Sequence, residues 1–138
     1  MGPPSIFFLG WARPKKLVDI LRALGYNGTM KKTNQISGTH LQGVVDTSYN
    51  HLVEIFGKPH IKGEPGDKID VEWAFEFEDG TISTIYNWKD GPCYQRDDGD
   101  PVEIITNWHV GGTHKDAVTK VAEKLNRYPQ YDSYTSKY

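Results

Sequence analysis

The chain of 138 residues holds a single cysteine, Cys93, so it can close no internal disulfide and build no all-cysteine zinc site. A reducing cytoplasm is the compartment expected for such a sequence. An excess of positive charge is missing as well. Sixteen lysines and arginines against eighteen acidic residues give a formal charge of −2. That argues against a general coat for DNA or RNA, because non-specific binding needs a basic face. A local basic patch in the first half stays open, with Lys15, Lys16, Lys31, Lys32, Lys58 and Lys62. The apolar run from Ile6 to Trp11 is too short to span a bilayer and follows no basic residue. Neither a membrane helix nor a signal peptide is therefore expected. The five histidines form no His-Glu-x-x-His pattern, and Asp97, Asp98 and Asp100 lack the calcium-loop spacing. No metal and no cofactor are expected.

What the chain does have is aromatic. Four Trp, eight Tyr and five Phe supply bulky core area to a length that suits one domain. Residues 1–128 are expected to form that single domain. Residues 129–138 read as a polar, tyrosine-rich tail, frayed or docked on a partner.

Apolar spacing predicts a first helix over 14–24, opened by Pro14 and stopped by Gly25. A second helix starts at Thr47 or Ser48, buries Tyr49, Leu52, Val53 and Phe56, and ends at Gly57. Residues 26–38 between them read as a polar loop followed by a short strand over 39–45. Asp79-Gly80, flanked by alternating runs, predicts a hairpin with a two-residue turn. That turn would pair Phe77 with Ile82, Phe75 with Thr84, Trp73 with Tyr86 and Val71 with Trp88 on one aromatic face. Asp70, Glu72, Ala74 and Glu76 would then oppose Lys89, Asn87, Ile85 and Ser83 on the other. A third strand over 102–110 puts Ile104, Thr106 and Trp108 on one side, and Ile105, Asn107 and His109 on the other. Helix three follows Thr113, capped by a Thr113–Asp116 pair, and buries Ala117, Val118, Val121 and Leu125. The expected fold is α+β: an antiparallel meander with a central hairpin, packed on one face by about three helices.

Two sets of residues suggest a site. A strand running through Gly111-Gly112-Thr113 into a helix, with Lys115 close behind, offers free N–H groups, a hydroxyl and a cation to an anion. A plain strand-to-helix turn would look the same, and the Gly-Lys-Ser/Thr of a P-loop is absent. The polar sheet face offers Asn87 and Asn107 to read a base edge, and Lys89 and His109 to meet phosphate. A solvated surface is the ordinary alternative, but Ile85 and Ile105 among those polar residues point to a half-covered face. Tyr86, Trp88 and Trp108 could stack on a base. The hairpin phase sends Tyr86 and Trp88 to the core, though Trp88 stands at the open end where it can reach a pocket rim. Cys93 has no local activating partner. Glu72 with His109 is the acid/base pair on offer.

The second helix with its Leu-Val-Glu-Ile-Phe-Gly-Lys-Pro ending, the Glu72-Trp73 strand and Asp79-Gly80-Thr81 form part of a wider pattern. With Thr84-Ile85-Tyr86-Asn87-Trp88-Lys89 and Trp108-His109-Val110-Gly111-Gly112 they resemble a widespread family of small phage-encoded proteins over residues 38 to 125. The resemblance associates the chain with viral sponge proteins that sequester the cyclic nucleotide signals of bacterial defence, the anti-CBASS type. It implies binding without chemistry in the host cytoplasm, in a homo-oligomer whose pockets lie at or near subunit contacts. It assigns no individual contact. The order helix, Gly-x-Pro, hairpin is also similar to BamE and β-lactamase-inhibitor modules, at the level of fold alone.

The expectation is a non-enzymatic binder of a phosphate-bearing nucleotide, with a cyclic dinucleotide first among the candidates. Its ligand residues would be Asn87, Trp88, Lys89, Asn107, Trp108, His109, Gly111, Gly112, Thr113 and Lys115. A dimer or tetramer is expected, joined through the face carrying Ile85 and Ile105 in preference to the tyrosine-rich tail, with no membrane and no nucleic-acid partner. Two other classes compete: a protein-binding inhibitor of a host factor using the same face, and a small nuclease or nucleotide hydrolase using Glu72 and His109.

Overall fold

Alternating β-branched and aromatic residues commit the middle of the chain to strands, and two amphipathic stretches pack across them. A computed structural model describes residues 30–133. The helix expected over 14–24 lies outside those residues. The described strands are β1 (Met30–Lys32), β2 (His40–Asp46), β3 (Ile61–Lys62), β4 (Val71–Phe77), β5 (Ile82–Tyr86), β6 (Asn107–Gly112) and β7 (Gln130–Tyr131). They form one seven-stranded sheet in the order β1-β4-β5-β6-β2-β7, with β3 also pairing to β4. Every pairing is antiparallel. The helices are α1 (Tyr49–Phe56), the single-turn α2 (Pro92–Gln95) and α3 (Asp116–Leu125). The fold is α+β, as the sequence predicts.

Local signals set both long helices. Ser48 Oγ accepts from the His51 amide at 3.0 Å, and Gly57 at φ +81 closes the end of α1. Asn126, left-handed at φ +57, ends α3, while the Arg127 amide reaches back to the Ala122 carbonyl at 2.8 Å. The two helices meet where His51 Nε2 donates to the Leu125 carbonyl at 3.0 Å. Beneath them Trp73 and Trp108 cross edge to face, their centroids 5.6 Å apart, and both are fully buried. Each indole N–H is satisfied, Trp73 to the Gly57 carbonyl at 2.7 Å and Trp108 to the Ile105 carbonyl at 3.1 Å. Of the helix-three stripe, Ala117, Val118, Val121 and Leu125 all enter this core.

The hairpin exists, but its register differs by one residue. Phe77 and Thr81 close a three-residue loop, with the Phe77 amide donating to the Thr81 carbonyl at 2.8 Å. A two-residue turn would force Asp79 to positive φ. The longer loop confines the left-handed conformation to Gly80, at φ +88. Asp79 caps the Thr81 amide and pairs with Lys120 of α3 at 3.0 Å. The pairs are therefore Trp73 with Ile85, Phe75 with Ser83, and Glu72 with Tyr86. A one-residue slip turns over every β5 side chain. Ser83 and Ile85 face the helix side, Asn87 beyond them is buried against Asp70 and Asp90, and Tyr86 joins Glu72 on the second face.

Three further expectations change. Pro101 leads residues 102–104 into a 3₁₀ turn, so β6 begins only at Asn107. Alternation does not reach Ile104 and Ile105: the first is 61% exposed and the second is buried in the core beside Ile85. Met30–Lys32, expected in a loop, pairs with β4. Gln130–Tyr131 of the tail pairs with β2, and Tyr131 Oη and Thr119 Oγ1 share a hydrogen bond of 2.6 Å. The domain boundary expected at 128 is crossed by the sheet itself.

Candidate functional site

With the register established, the second sheet face carries one polar row at a single level. Glu72 pairs with Tyr86, and Tyr86 pairs with His109. Neighbouring strands lie about 4.8 Å apart, so Glu72 and His109 stand roughly 9–10 Å from each other with the phenol between them. Burial governs all three. It pushes the Glu72 carboxyl up to about 7 and, with help from the Glu72 charge, the Tyr86 phenol up to about 12. It also lowers His109 against the opposing pull of Asp90 and Asp132. That favours the neutral form of the imidazole.

Beside this row the chain leaves the sheet and builds an aromatic platform. Trp88 is 40% exposed. It stacks on His109 (centroids 6.3 Å, 18° between planes) and meets Tyr86 edge-on at 6.1 Å. Lys68 Nζ and Lys89 Nζ stand 5.7 and 5.9 Å from the indole centroid, and Lys89 Nζ is also 5.6 Å from the ring of exposed Tyr94. Gly111 makes room behind the row. A Cβ there would fall 2.5 Å from Thr84 Oγ1 and 3.4 Å from the Tyr86 ring.

Asn87 holds the platform in place. Its carbonyl oxygen accepts from the Asp70 and Val71 amides at 2.9 and 3.2 Å. Its amide nitrogen donates to the Asp70 and Asp90 carboxylates, both at 2.9 Å. Asp70 accepts in turn from the Cys93 amide at 3.0 Å. Lys89 sits at φ +63, an uncommon conformation for a side chain with a Cβ. Its amide donates to the Lys68 carbonyl at 2.7 Å, which brings the second lysine to the indole.

The structure divides the residues expected to bind. Trp88, Lys89 and His109 come together. Asn87 is close by, but its amide is fully committed inside the framework. Trp108 lies in the core and cannot reach a ligand. Asn107 donates to Asp46 at 3.0 Å. Gly111 and Gly112 are ladder residues, paired to β5 and β2 on either side, and Gly112 faces Ser83 at the end of β5 remote from Trp88. Thr113 and Lys115 are exposed there. The expected Thr113–Asp116 cap is absent: α3 begins later, and the Asp116 amide donates to His114 Nδ1 at 3.1 Å. The reason is that β6 runs straight through both glycines before the chain turns.

Sequence reasoning missed Lys68 and Tyr94 at this platform, and placed Tyr86 in the core. The glycine at the third position of Glu78-Asp79-Gly80 was the signal that would have moved Tyr86. Ile85 and Ile105 are both core residues, which removes the reason for reading this face as a subunit or protein interface. Ile105→Lys would report on folding and not on assembly. The Cys93 thiol is pushed up by burial first and by Asp70 next, which disfavours the thiolate. Among the described residues no cluster of three His, Cys, Asp or Glu could hold a metal ion. No helix among them is long and apolar enough to cross a membrane. No family model matches the chain, and no curated protein matches it.

Proposed function

We propose that the protein binds a phosphate-bearing nucleotide on the Trp88 platform, a cyclic dinucleotide first among the candidates, and releases it unchanged. One observation carries the reading: a half-open indole with two lysine ammoniums within 6 Å and the His109 imidazole stacked behind it. A base stacks on the open part of the indole, and Lys68 and Lys89 supply the cations for its phosphates. Binding without chemistry is favoured because the acid/base pair on this face is split by Tyr86, too far apart to serve one proton directly. The resemblance to viral sponge proteins supports the same reading, and with it we propose a bacterial cytoplasm as the place of action and a homo-oligomer as the form.

Thermal shift against a panel of linear and cyclic nucleotides tests the proposal, with stabilisation expected for at least one member. Trp88→Ala should weaken that ligand by about 5- to 150-fold, the value of one base–aromatic stack of ~1–3 kcal/mol. Lys115→Ala, at the far end of the sheet, should leave affinity unchanged. The reverse pattern would move the site to the start of α3. Mass spectrometry of ligand recovered by heat release should return it intact, and a hydrolysed product would replace the sponge with an enzyme. Light scattering at micromolar concentration measures the assembly, and a mass of one chain with and without ligand would sink the oligomer.

A further inference from the structure

A cavity adjoins the platform, and a largely buried carboxylate lines it. About 270 Å³ in volume, it is walled by Ile61 and Ile69 and rimmed by Lys62, Lys68 and Asp67. Glu72 also lines it, and is the buried member of that lining, only 8% exposed. Among the described residues no hydrogen bond reaches the Glu72 carboxylate. A carboxylate partly withdrawn from water and without a hydrogen-bond donor costs stability that a donor from a ligand would restore. Lys68 belongs to both places, standing over Trp88 and lining this cavity. The two are therefore parts of one continuous site.

The lining restricts what can enter. Small-molecule pockets run to roughly 300–1,000 Å³, so this volume suits a single base and not a whole dinucleotide. Two ammoniums at the rim repel a cationic ligand, so the donors that meet Glu72 must be neutral N–H groups. The same lysines favour a ligand that carries phosphate. Two flanking isoleucines suit a flat apolar surface. Guanine meets these conditions together: its N1–H and 2-amino group are two parallel neutral donors on one edge, matched to the two oxygens of a carboxylate. Adenine presents a single donor beside an acceptor on that edge, and hypoxanthine only N1–H.

Resting on the nucleotide reading, we infer that the Glu72 cavity is a guanine subsite, in which the carboxylate accepts from N1–H and the 2-amino group while Lys62 and Lys68 hold the attached phosphate. A cyclic dinucleotide then places one guanine here and its other base on Trp88, with its phosphates passing over Lys68.

Calorimetric titration of the full chain with GMP, IMP and AMP, and with cyclic di-GMP, the mixed guanine–adenine cyclic dinucleotide and cyclic di-AMP, tests the assignment. GMP should bind more tightly than IMP by about tenfold or more, the value of one hydrogen bond to a charged acceptor, and AMP more weakly than both. Cyclic dinucleotides with at least one guanine should outrank cyclic di-AMP. Glu72→Gln replaces one acceptor with a donor facing the guanine N–H groups. It should erase the preference, bringing GMP down to the affinity of IMP or below it. Equal affinity for the three mononucleotides, or a guanine preference that survives Glu72→Gln, overturns the subsite and leaves the platform standing. Absence of binding by every nucleotide removes both. Circular dichroism of Glu72→Gln establishes that its fold is intact before the ranking is read.

Discussion

Asn87→Ala should cost about 3–5 kcal/mol of unfolding free energy, a large share of the roughly 5–15 kcal/mol that holds a domain of this size together. The side chain is fully buried and makes four hydrogen bonds, two as acceptor from the Asp70 and Val71 amides and two as donor to Asp70 and Asp90. Alanine leaves two backbone N–H groups and two carboxylates short of a partner, and each buried orphan costs about 1–3 kcal/mol. Asn87→Asp separates this account from simple loss of volume. Its carboxylate keeps both amide acceptors but turns an oxygen toward Asp70 and Asp90, where the parent has an N–H. That variant should be destabilised near neutral pH and recover in acid, whereas Asn87→Ala should not recover. Urea melts at two pH values decide it, and a loss under 1 kcal/mol for the alanine variant would remove the framework role. Because the same four bonds fix the residues on either side of Trp88, surviving Asn87→Ala protein should also bind nucleotide poorly.

Glu72 should make stability fall as pH rises. Its carboxyl is raised by burial from the ordinary 4.5 to about 7. Between those values the folded chain keeps a proton that the unfolded chain has released, so unfolding free energy drops with increasing pH and levels off above about 7. A shift of this size is worth about 2–3 kcal/mol, with the cavity mouth screening part of the full value. Glu72→Gln removes the titration. It should match the parent near pH 4 and exceed its stability by about 2–3 kcal/mol at pH 8. Thermal melts of both proteins from pH 4 to 8 give the answer, and parallel curves would show that the carboxylate is not confined. A variant more stable than its parent yet blind to guanine would display a side chain kept for binding at the expense of stability.

The legible parts of this chain were those with local signals. Ser48, the apolar spacing from Tyr49 to Phe56 and Gly57 define α1 without reference to anything distant, and the stripe from Ala117 to Leu125 does the same for α3. The hairpin was legible as a hairpin, since Asp79-Gly80 suits either a two- or a three-residue loop. Its register was not, because both faces of β5 mix apolar and polar residues. Ile82, Thr84 and Tyr86 look no less suited to a core than Ser83, Ile85 and Asn87. That one residue decided the site: it exchanged Asn87 for Tyr86 on the ligand face. Trp88 was found from its position at the open end of the hairpin, and Lys89 as a cation on the polar sheet face. Lys68 could not be, since only the backbone bond from Lys89 carries it to the indole. The paired glycines were read as a turn because strand and turn compete for the same residues, and here flanking strands on both sides settled the contest.

The docking of Gln130 and Tyr131 beside Gly43 and Val44 has a consequence for self-association. Within the described sheet the outermost segments, β1, β3 and β7, are only two or three residues long, and β1 and β3 carry lysines. Short, charged margins offer a second chain little to pair with. Just inside β7 runs the seven-residue β2, whose central glycine admits the tail so closely that any Cβ at Gly43 would strike the Gln130 carbonyl. Chain cut after Arg127, or Gly43→Val, would uncover that longer strand and its unpaired amides. Such protein should gather into β-rich aggregates, which makes the Gln130–Tyr131 segment a guard on solubility.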